Sequence, residues 1–226
     1  EYGVLFICIL LVNVGCAYSG YSTLKSEYSA SGDPTIMVWN VHNGIGQDYK
    51  FDLNRIAKQI RQYDPDVLGL NELDRGLFKT GLIDIGLYLA EKLDMYYFYA
   101  PSYYEHYGIG ILSKNPFERV ENIALPRSPE VNGEPRTLIR AHISINDELW
   151  SFYVNHLSTQ EEDRLLQVPF IVDLIEQHEF KRVVWMGDFN AKPDEEPYEL
   201  INSSGNVKFR DTHRYLDPNP RLTGSL

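Results

Sequence analysis

Four apolar stretches of the sequence each end in polar residues that could bind a metal ion or a phosphate. These residues are Asn40, Glu72, His156 and the pair Asp188 and Asn190. In α/β proteins, ligands bind beyond the carboxyl ends of strands. Burying polar groups there costs free energy unless something pairs with them. One such residue is weak evidence, but four strand ends of this kind need a common explanation.

Glu72 and Asn40 carry side-chain oxygens that suit a hard cation. Glu72 follows the apolar residues 67–70, and a carboxylate there could bind Mg²⁺ or Ca²⁺, with water and a substrate phosphate as further ligands. Its alternative roles are a helix N-cap or a surface salt bridge. The amide oxygen of Asn40 could bind the same cation or orient Glu72. An asparagine considered alone is more typical of an Asx turn at a strand end.

Asp188, Asn190 and His156 carry groups suited to hydrolysis. The Asp188 carboxylate could orient and deprotonate a water molecule. The Asn190 amide could hold a phosphoryl oxygen as negative charge develops on it. His156 could donate a hydrogen bond or a proton to a phosphate. The alternatives are an ordinary turn at residues 187–190 and, for a lone histidine, a hydrogen-bonded residue of the core.

Several common enzyme classes lack support because their motifs are absent from the sequence. There is no GxSxG elbow, no Walker loop, no dinucleotide fingerprint and no HExxH zinc motif. The two cysteines, Cys8 and Cys16, both lie in the N-terminal apolar stretch. The rest of the chain therefore offers neither a thiolate zinc ligand nor a cysteine nucleophile.

The composition favours a single acidic domain. The chain has 226 residues and a formal net charge of −11, with no cluster of lysines and arginines. Such a surface repels the phosphate backbone of nucleic acids, which makes tight non-specific nucleic-acid binding unfavourable. A small phosphoester held by a metal ion is compatible with this charge. We expect the domain to be monomeric.

The pattern of apolar residues predicts strands at 35–41, 66–72, 107–113, 117–125, 137–145, 149–156 and 182–187. It predicts helices at 51–63, 82–93, 161–178 and 197–202, and Pro169 should kink the third helix or limit where it starts. Asn146 and Asp147 indicate a tight turn. Helices alternate with strands early and strands dominate the middle, so we expect a mixed sheet, or two sheets, covered by helices.

The N-terminal region has the pattern of an export or membrane segment. Residues 2–24 carry no charge, residues 4–12 are apolar, and small residues follow up to Ala17. We expect residues 1–17 to be a signal peptide or membrane anchor, residues 18–34 a linker, and residues 35–226 one domain. A buried core segment is the alternative for residues 4–12.

Taken in order, the motifs resemble those of the endonuclease/exonuclease/phosphatase superfamily. They are the segments 39–44 (WNVHNG), 70–74 (LNELD), 107–114 (YGIGILSK), 155–157 (NHL) and 187–190 (GDFN), with Glu134-Pro135-Arg136 and the pair Arg164 and Gln167 between them. The resemblance runs from about residue 35 to the C-terminus. Residues 72–75 and the predicted helix at 84–93 are similar to secreted or membrane-tethered members, including the type that remodels GPI-anchor lipids.

The resemblance implies a four-layer α/β sandwich, with two mixed β-sheets packed face to face and flanked by helices. It also implies hydrolysis of a phosphoester with Mg²⁺, or with Mn²⁺ or Ca²⁺ in its place. Glu72 would be the main metal ligand with Asn40 beside it, and Asp188 would activate water. Asn190 and His156 would contact the phosphate, and Tyr153 is a weaker candidate for a substrate contact.

The sequence departs from the family near its end. Members carry a further aspartate and an Asp-His pair there, whereas the last histidine here is His213, in a segment that resembles an earlier part of the family pattern. We therefore expect the final strands to be absent and the chain to be truncated, which could leave it inactive.

The function expected from these observations is metal-dependent cleavage of a phosphodiester in a lipid or small molecule, outside the cytosol or at a membrane. The alternatives are a secreted nuclease and a catalytically inactive binding module of the same fold.

Overall fold

The computed structural model describes residues 32–177, 182–212 and 215. The expected signal peptide or anchor at 1–17 lies outside the described residues, as do most of the expected linker and His213. In the part of the chain that the structure describes, no helix is long and apolar enough to cross a membrane.

Eight strands form two four-stranded sheets within the described ranges. The strands are β1 (Ile36–Asn40), β2 (Val67–Asp74), β3 (Tyr96–Tyr103), β4 (Tyr107–Ser113), β5 (Phe117–Ala124), β6 (Thr137–Ile145), β7 (Glu148–His156) and β8 (Val183–Asp188). The sheet orders are β1-β2-β4-β3 and β5-β6-β7-β8. The pairs β1–β2 and β7–β8 are parallel, and the other pairs are antiparallel. Both sheets are therefore mixed, which confirms the predicted fold class.

Four helices connect and cover the sheets. They are α1 (Leu53–Tyr63), α2 (Ile85–Leu93), α3 (Glu161–Glu176) and α4 (Glu196–Ser203), and short 3-10 turns lie at His42–Gly44 and Phe78–Thr80. Asp52 and Asp84 cap α1 and α2, because each side chain accepts a hydrogen bond from a backbone N–H in the first turn of its helix. Helix α3 runs through Pro169 from its start at Glu161, so this proline does not set the start of the helix.

The apolar residues divide into three layers, as a four-layer sandwich requires. The central layer lies between the sheets and includes Ile109, Ile111, Phe152 and Val154. A second layer packs α1 and α2 against the first sheet, and a third packs α3 against the second sheet. On α3, Val168, Ile171, Val172 and Ile175 are buried at helical spacing. Each fully buried aliphatic or phenyl side chain contributes about 1.5–3 kcal/mol to this packing.

Strand β3 was not among the predicted strands. Its sequence, YYFYAPSY, contains Pro101, which lacks the N–H that an interior strand must donate. Because β3 lies at the edge of its sheet and pairs only with β4, the missing donor leaves no neighbouring strand unsatisfied. The turn predicted at Asn146 and Asp147 is confirmed, since both residues adopt a positive φ between β6 and β7.

Candidate active site

Four strand ends meet at one rim of the sandwich and bring the predicted polar residues together. Strands β1 and β2 run parallel in one sheet, β7 and β8 run parallel in the other, and all four end at this rim. The Asn40 Nδ2 atom donates to Glu72 Oε1 at 2.8 Å and to Asp188 Oδ2 at 3.0 Å. One amide therefore links carboxylates that come from different sheets and lie far apart in the sequence.

The orientation of the Asn40 amide is fixed by the backbone. Its Oδ1 atom accepts the His42 N–H at 3.0 Å. Exchanging the amide oxygen and nitrogen would place the NH₂ group against that donor, so the nitrogen must face the carboxylates. Asn40 therefore orients Glu72, which is one of the two roles predicted for it. The Asn40 Oδ1 atom keeps one lone pair, and only that lone pair is available to bind a cation.

Glu72 lies on a bulge of β2 that turns its side chain into the site. Leu70 pairs with Gly110 and Leu73 with Gly108, so β2 has one extra residue between these pairs. Glu72 has a φ of 59°, which is uncommon for a residue with a side chain and is the kind of strain found at functional sites. The preceding Asn71 is buried and donates from Nδ2 to the Asn155 carbonyl at 2.7 Å, across the two sheets.

Asp188 and Asn190 are held by a tight turn after β8. The Asp188 Oδ1 atom accepts the Asn190 N–H at 2.9 Å, and Asn190 Nδ2 donates to the Leu157 carbonyl at 2.9 Å. Gly187 has a φ of 139°, and a Cβ there would lie 1.9 Å from the Asn155 carbonyl oxygen. A glycine is therefore required, because only its bare backbone fits this conformation so close to β7.

His156 is a neutral hydrogen-bond donor beside Asp188. It pairs with Asp188 in the β7–β8 register and is 4% exposed. Burial lowers the pKa of His156 to about 4, with a further lowering by Arg136 and an opposing contribution from Asp188. The Arg136 Nη1 atom lies 3.3 Å from His156 Nδ1, and a guanidinium can only donate. Nδ1 is therefore the acceptor, and Nε2 carries the proton.

Arg136 and Tyr107 belong to the same cluster, although the sequence analysis gave them no role. Arg136 is 6% exposed and also forms a 3.3 Å salt bridge with Glu134. The Tyr107 hydroxyl interacts with Arg136, and burial followed by the charge of Glu72 raises the pKa of Tyr107. The Tyr107 ring lies 6.4 Å from the His156 ring. Both residues lie in segments that carry the family resemblance, and that was the only sequence signal for them.

Tyr153 lies on the other face of β7, so the structure does not support it as a substrate contact. Its side chain is fully buried and packs with Leu138, Leu157 and Ile171 in the layer beneath α3. Side chains alternate along a strand, and Phe152 and Val154 face the layer between the sheets instead. Tyr153 therefore belongs to the core.

The first turns of α3 hold the loop that follows His156. Arg164 Nη1 donates to the Ser158 carbonyl at 3.0 Å, and Gln167 Oε1 accepts the Ser158 N–H at 3.0 Å. Asp163 accepts from the Ser158 hydroxyl at 2.8 Å and from the Ser128 N–H at 2.7 Å. The motif residues Arg164 and Gln167 thus position a loop instead of contacting the site.

The arrangement fits a hard cation better than a zinc ion. Among residues 32–177, 182–212 and 215, no salt bridge neutralises Glu72 or Asp188, and these two carboxylates share one neutral amide. No group of three or more His, Cys, Asp or Glu side chains able to hold a metal occurs among the described residues. Mg²⁺ typically binds one or two carboxylates and completes its shell with water and substrate oxygens.

Comparison with known proteins identifies the family. The family model described as "PGAP2IP, C-terminal nuclease-like domain" matches residues 33–217. The chain belongs to this family. A curated relative of this PGAP2IP-type nuclease-like domain is Protein cwh43 of Schizosaccharomyces pombe (strain 972 / ATCC 24843), 29% identical over 170 residues. That match covers 74% of the chain and 17% of the relative, so the chain spans about a sixth of that protein.

Solved structures share the fold of this nuclease-like domain. An endonuclease/exonuclease/phosphatase from Beutenbergia cavernae DSM 12333 has a TM-score of 0.60 and 24% identity, covering 76% of the chain and 52% of its own. The Bacteroides thetaiotaomicron VPI-5482 mannosyl-6-phosphatase Bt3783 has a TM-score of 0.61 and 17% identity, with coverages of 76% and 71%. A humanized D. rerio TDP2 has a TM-score of 0.59 and 22% identity, with coverages of 75% and 70%. The superfamily predicted from the sequence is confirmed.

Proposed function

We propose that this domain is a Mg²⁺-dependent hydrolase of phosphodiester bonds in a lipid or small molecule. The observation that carries the proposal is the pair of carboxylates, Glu72 and Asp188, joined by the Asn40 amide beside a neutral histidine. Two negative groups with no cationic partner among the described residues favour a bound cation, and a bound cation favours a phosphate. The names of the structural neighbours, a mannosyl-6-phosphatase among them, agree with phosphoester chemistry.

Each residue has a role that its contacts allow. Glu72 would hold the cation, and Asn40 keeps the Glu72 carboxylate turned towards Asp188. A bound Mg²⁺ would stabilise the negative charge that develops on the phosphoryl oxygens. His156 donates from Nε2 to the phosphate, since its Nδ1 atom is occupied by Arg136. With a pKa of about 4, His156 is a hydrogen-bond donor at neutral pH and a poor source of protons.

Asp188 orients the attacking water in this proposal. Each Asp188 carboxylate oxygen accepts one hydrogen bond, from Asn190 N–H and from Asn40 Nδ2. A carboxylate oxygen can accept two, so both retain a lone pair for a water molecule. The second hydrogen of the Asn190 amide is available to a phosphoryl oxygen, because the first is donated to Leu157.

We place the activity outside the cytosol or at a membrane, on the basis of the uncharged residues 2–24. The net charge of −11 favours a lipid or small phosphodiester over nucleic acid. The resemblance of residues 72–75 to GPI-lipid-remodelling members agrees with a lipid substrate.

The test measures hydrolysis of bis(p-nitrophenyl) phosphate, a phospholipid in mixed micelles and a supercoiled plasmid, with Mg²⁺ and with EDTA. We expect turnover of the first two substrates only with Mg²⁺. Loss of a residue that merely orients a metal ligand typically lowers activity roughly 10–100-fold. Glu72→Gln removes a proposed metal ligand itself, so it should lower kcat/KM by more than that. The control is Glu118→Gln, because Glu118 is an exposed carboxylate on β5.

Hydrolysis that survives EDTA would contradict the metal role. Plasmid nicking alone would favour a nuclease, and phosphate binding without turnover would favour a binding module.

A further inference from the structure

An open apolar cavity lies next to the candidate phosphate site. It has a volume of about 580 Å³ and is lined by Leu77, Tyr103, Tyr104, His106 and Tyr107. Its lining is almost entirely apolar. Cavities of roughly 300–1,000 Å³ are typical of small-molecule sites.

Tyr107 connects the cavity to the phosphate site. It lines the cavity, its hydroxyl interacts with Arg136, and its ring lies 6.4 Å from that of His156. A molecule whose phosphate binds at His156 would therefore have its ester group beside Tyr107. An apolar ester group would bury its surface in this cavity, whereas a charged one would be desolvated there.

The backbone at the mouth of the cavity is strained. Tyr104 is 75% exposed and has a φ of 48°, in the turn between β3 and β4. A bulky side chain in this conformation is unusual, and Gly or Asn would normally occupy it. The Tyr104 ring packs edge-on against Tyr103 with 4.3 Å between ring centroids. The turn therefore presents a largely exposed Tyr104 ring beside Tyr103 at the edge of the cavity.

The other side of the tyrosine pair is polar. A second cavity of about 460 Å³ shares Tyr103 and Tyr104 but is also lined by Arg127, Asn132 and Glu134. The pair therefore separates an apolar space from a polar one, and only the apolar space includes Tyr107.

We propose that Leu77, Tyr103 and Tyr104 form a specificity subsite for an apolar, alkyl-type ester group of the phosphoester substrate. The inference rests on the proposed function, because the phosphate at His156 fixes where the ester group lies. Beyond the proposed function, it names the side chains that select the substrate and the chemical class of the ester group that they select.

The test measures binding of four phosphodiesters to the full chain with Mg²⁺ by calorimetry. Each is a methyl ester of phosphate, and its second ester group is methyl, ethyl, butyl or hexyl. Each methylene that enters the cavity should lower Kd about 2- to 4-fold, because its apolar surface leaves water. Tyr104→Asn should flatten this dependence, and asparagine tolerates the positive φ, so the variant should fold. Leu77→Ala should also weaken the dependence.

Tyr49→Asn is the matched control. Tyr49 is 93% exposed, has a φ of 58° and is not among the residues that line the cavity. This variant should keep the wild-type dependence on chain length. A Kd independent of chain length would overturn the subsite while leaving the phosphate site intact. A dependence that persists in both subsite variants would also overturn it. Failure of all four phosphodiesters to bind would instead contradict the proposed function.

Discussion

The side chain of Asn40 organises the candidate site at the scale of single residues. Its NH₂ group has two hydrogens, and each binds a carboxylate from a different sheet. Its oxygen is fixed by the backbone two residues later. The sequence could predict that Asn40 and Glu72 lie together, because both follow apolar strands. It could not predict which amide atom faces the carboxylates, since that depends on the His42 N–H in the folded chain.

The burial of His156 predicts a stability that depends on pH. The pKa of His156 is lowered to about 4 from its ordinary value of 6.5, so between these values the unfolded chain binds more protons than the folded one. Stability is therefore unaffected by this group above about pH 7 and falls as pH decreases from 6.5 towards 4, by up to about 3 kcal/mol.

Denaturation at a series of pH values, compared with His156→Asn, measures this contribution. The asparagine oxygen can still accept from Arg136 but does not titrate. The variant should lose most of the decrease in stability between pH 6.5 and 4. An unchanged decrease in the variant would show that other groups cause it.

At the scale of elements, the bulge in β2 and the turn after β8 aim the two carboxylates. The sequence predicted where these strands end to within two residues, because apolar runs followed by polar residues mark strand ends. It did not predict the bulge at Glu72, whose φ of 59° is set by pairing with β4. Strand β3 was missed because its tyrosines and proline do not alternate clearly between apolar and polar residues. Tyr153 was a wrong candidate for a substrate contact, and strand alternation could have excluded it, because a residue three positions before His156 lies on the opposite face of β7.

Gly187→Ala should damage the turn that carries Asp188. Its Cβ would lie 1.9 Å from the Asn155 carbonyl oxygen, and its φ of 139° is unfavourable for alanine. We expect β7 and β8 to separate locally, with a loss of about 2–4 kcal/mol from overpacking and backbone strain together. Chemical denaturation measures the loss, and phosphoester hydrolysis should fall with it.

Gly76→Ala is the control for backbone strain alone. Gly76 has a φ of 68°, but nothing lies within 4 Å of a Cβ added there. It should lose only about 1–2 kcal/mol and retain hydrolysis. If both variants lost the same free energy of unfolding, the backbone around Asn155 would be able to move away from the added Cβ at no cost.

At the scale of the whole molecule, the site exists only while the two sheets are packed together. The hydrogen bonds from Asn40 to Asp188 and from Asn71 to Asn155 cross from one sheet to the other. Between the sheets, Gly69 allows close approach, because an added Cβ would meet Met186 at 3.1 Å and Val154 at 3.2 Å. Residues of either sheet far from the rim should therefore influence the site through packing.

Phe152→Ala tests how much the packing between the two sheets contributes to stability. Phe152 is fully buried between the sheets, and its truncation should cost about 3–5 kcal/mol. A chain of this size should then melt roughly 2–4 °C lower per kcal/mol. On the same strand, Leu149 is 42% exposed, and Leu149→Ala should change the melting temperature little. A small shift for Phe152→Ala would mean that the central layer contributes less than its burial implies.

The contact between Asn146 and Gly32 fixes the position of the first described residue on the domain. Asn146 lies in the turn before β7, and its Nδ2 atom donates to the Gly32 carbonyl at 2.8 Å. The nine residues of β7 then lead to His156, a distance of about 30 Å at strand geometry. Gly32 therefore lies at the end of the domain opposite the rim that carries the candidate site.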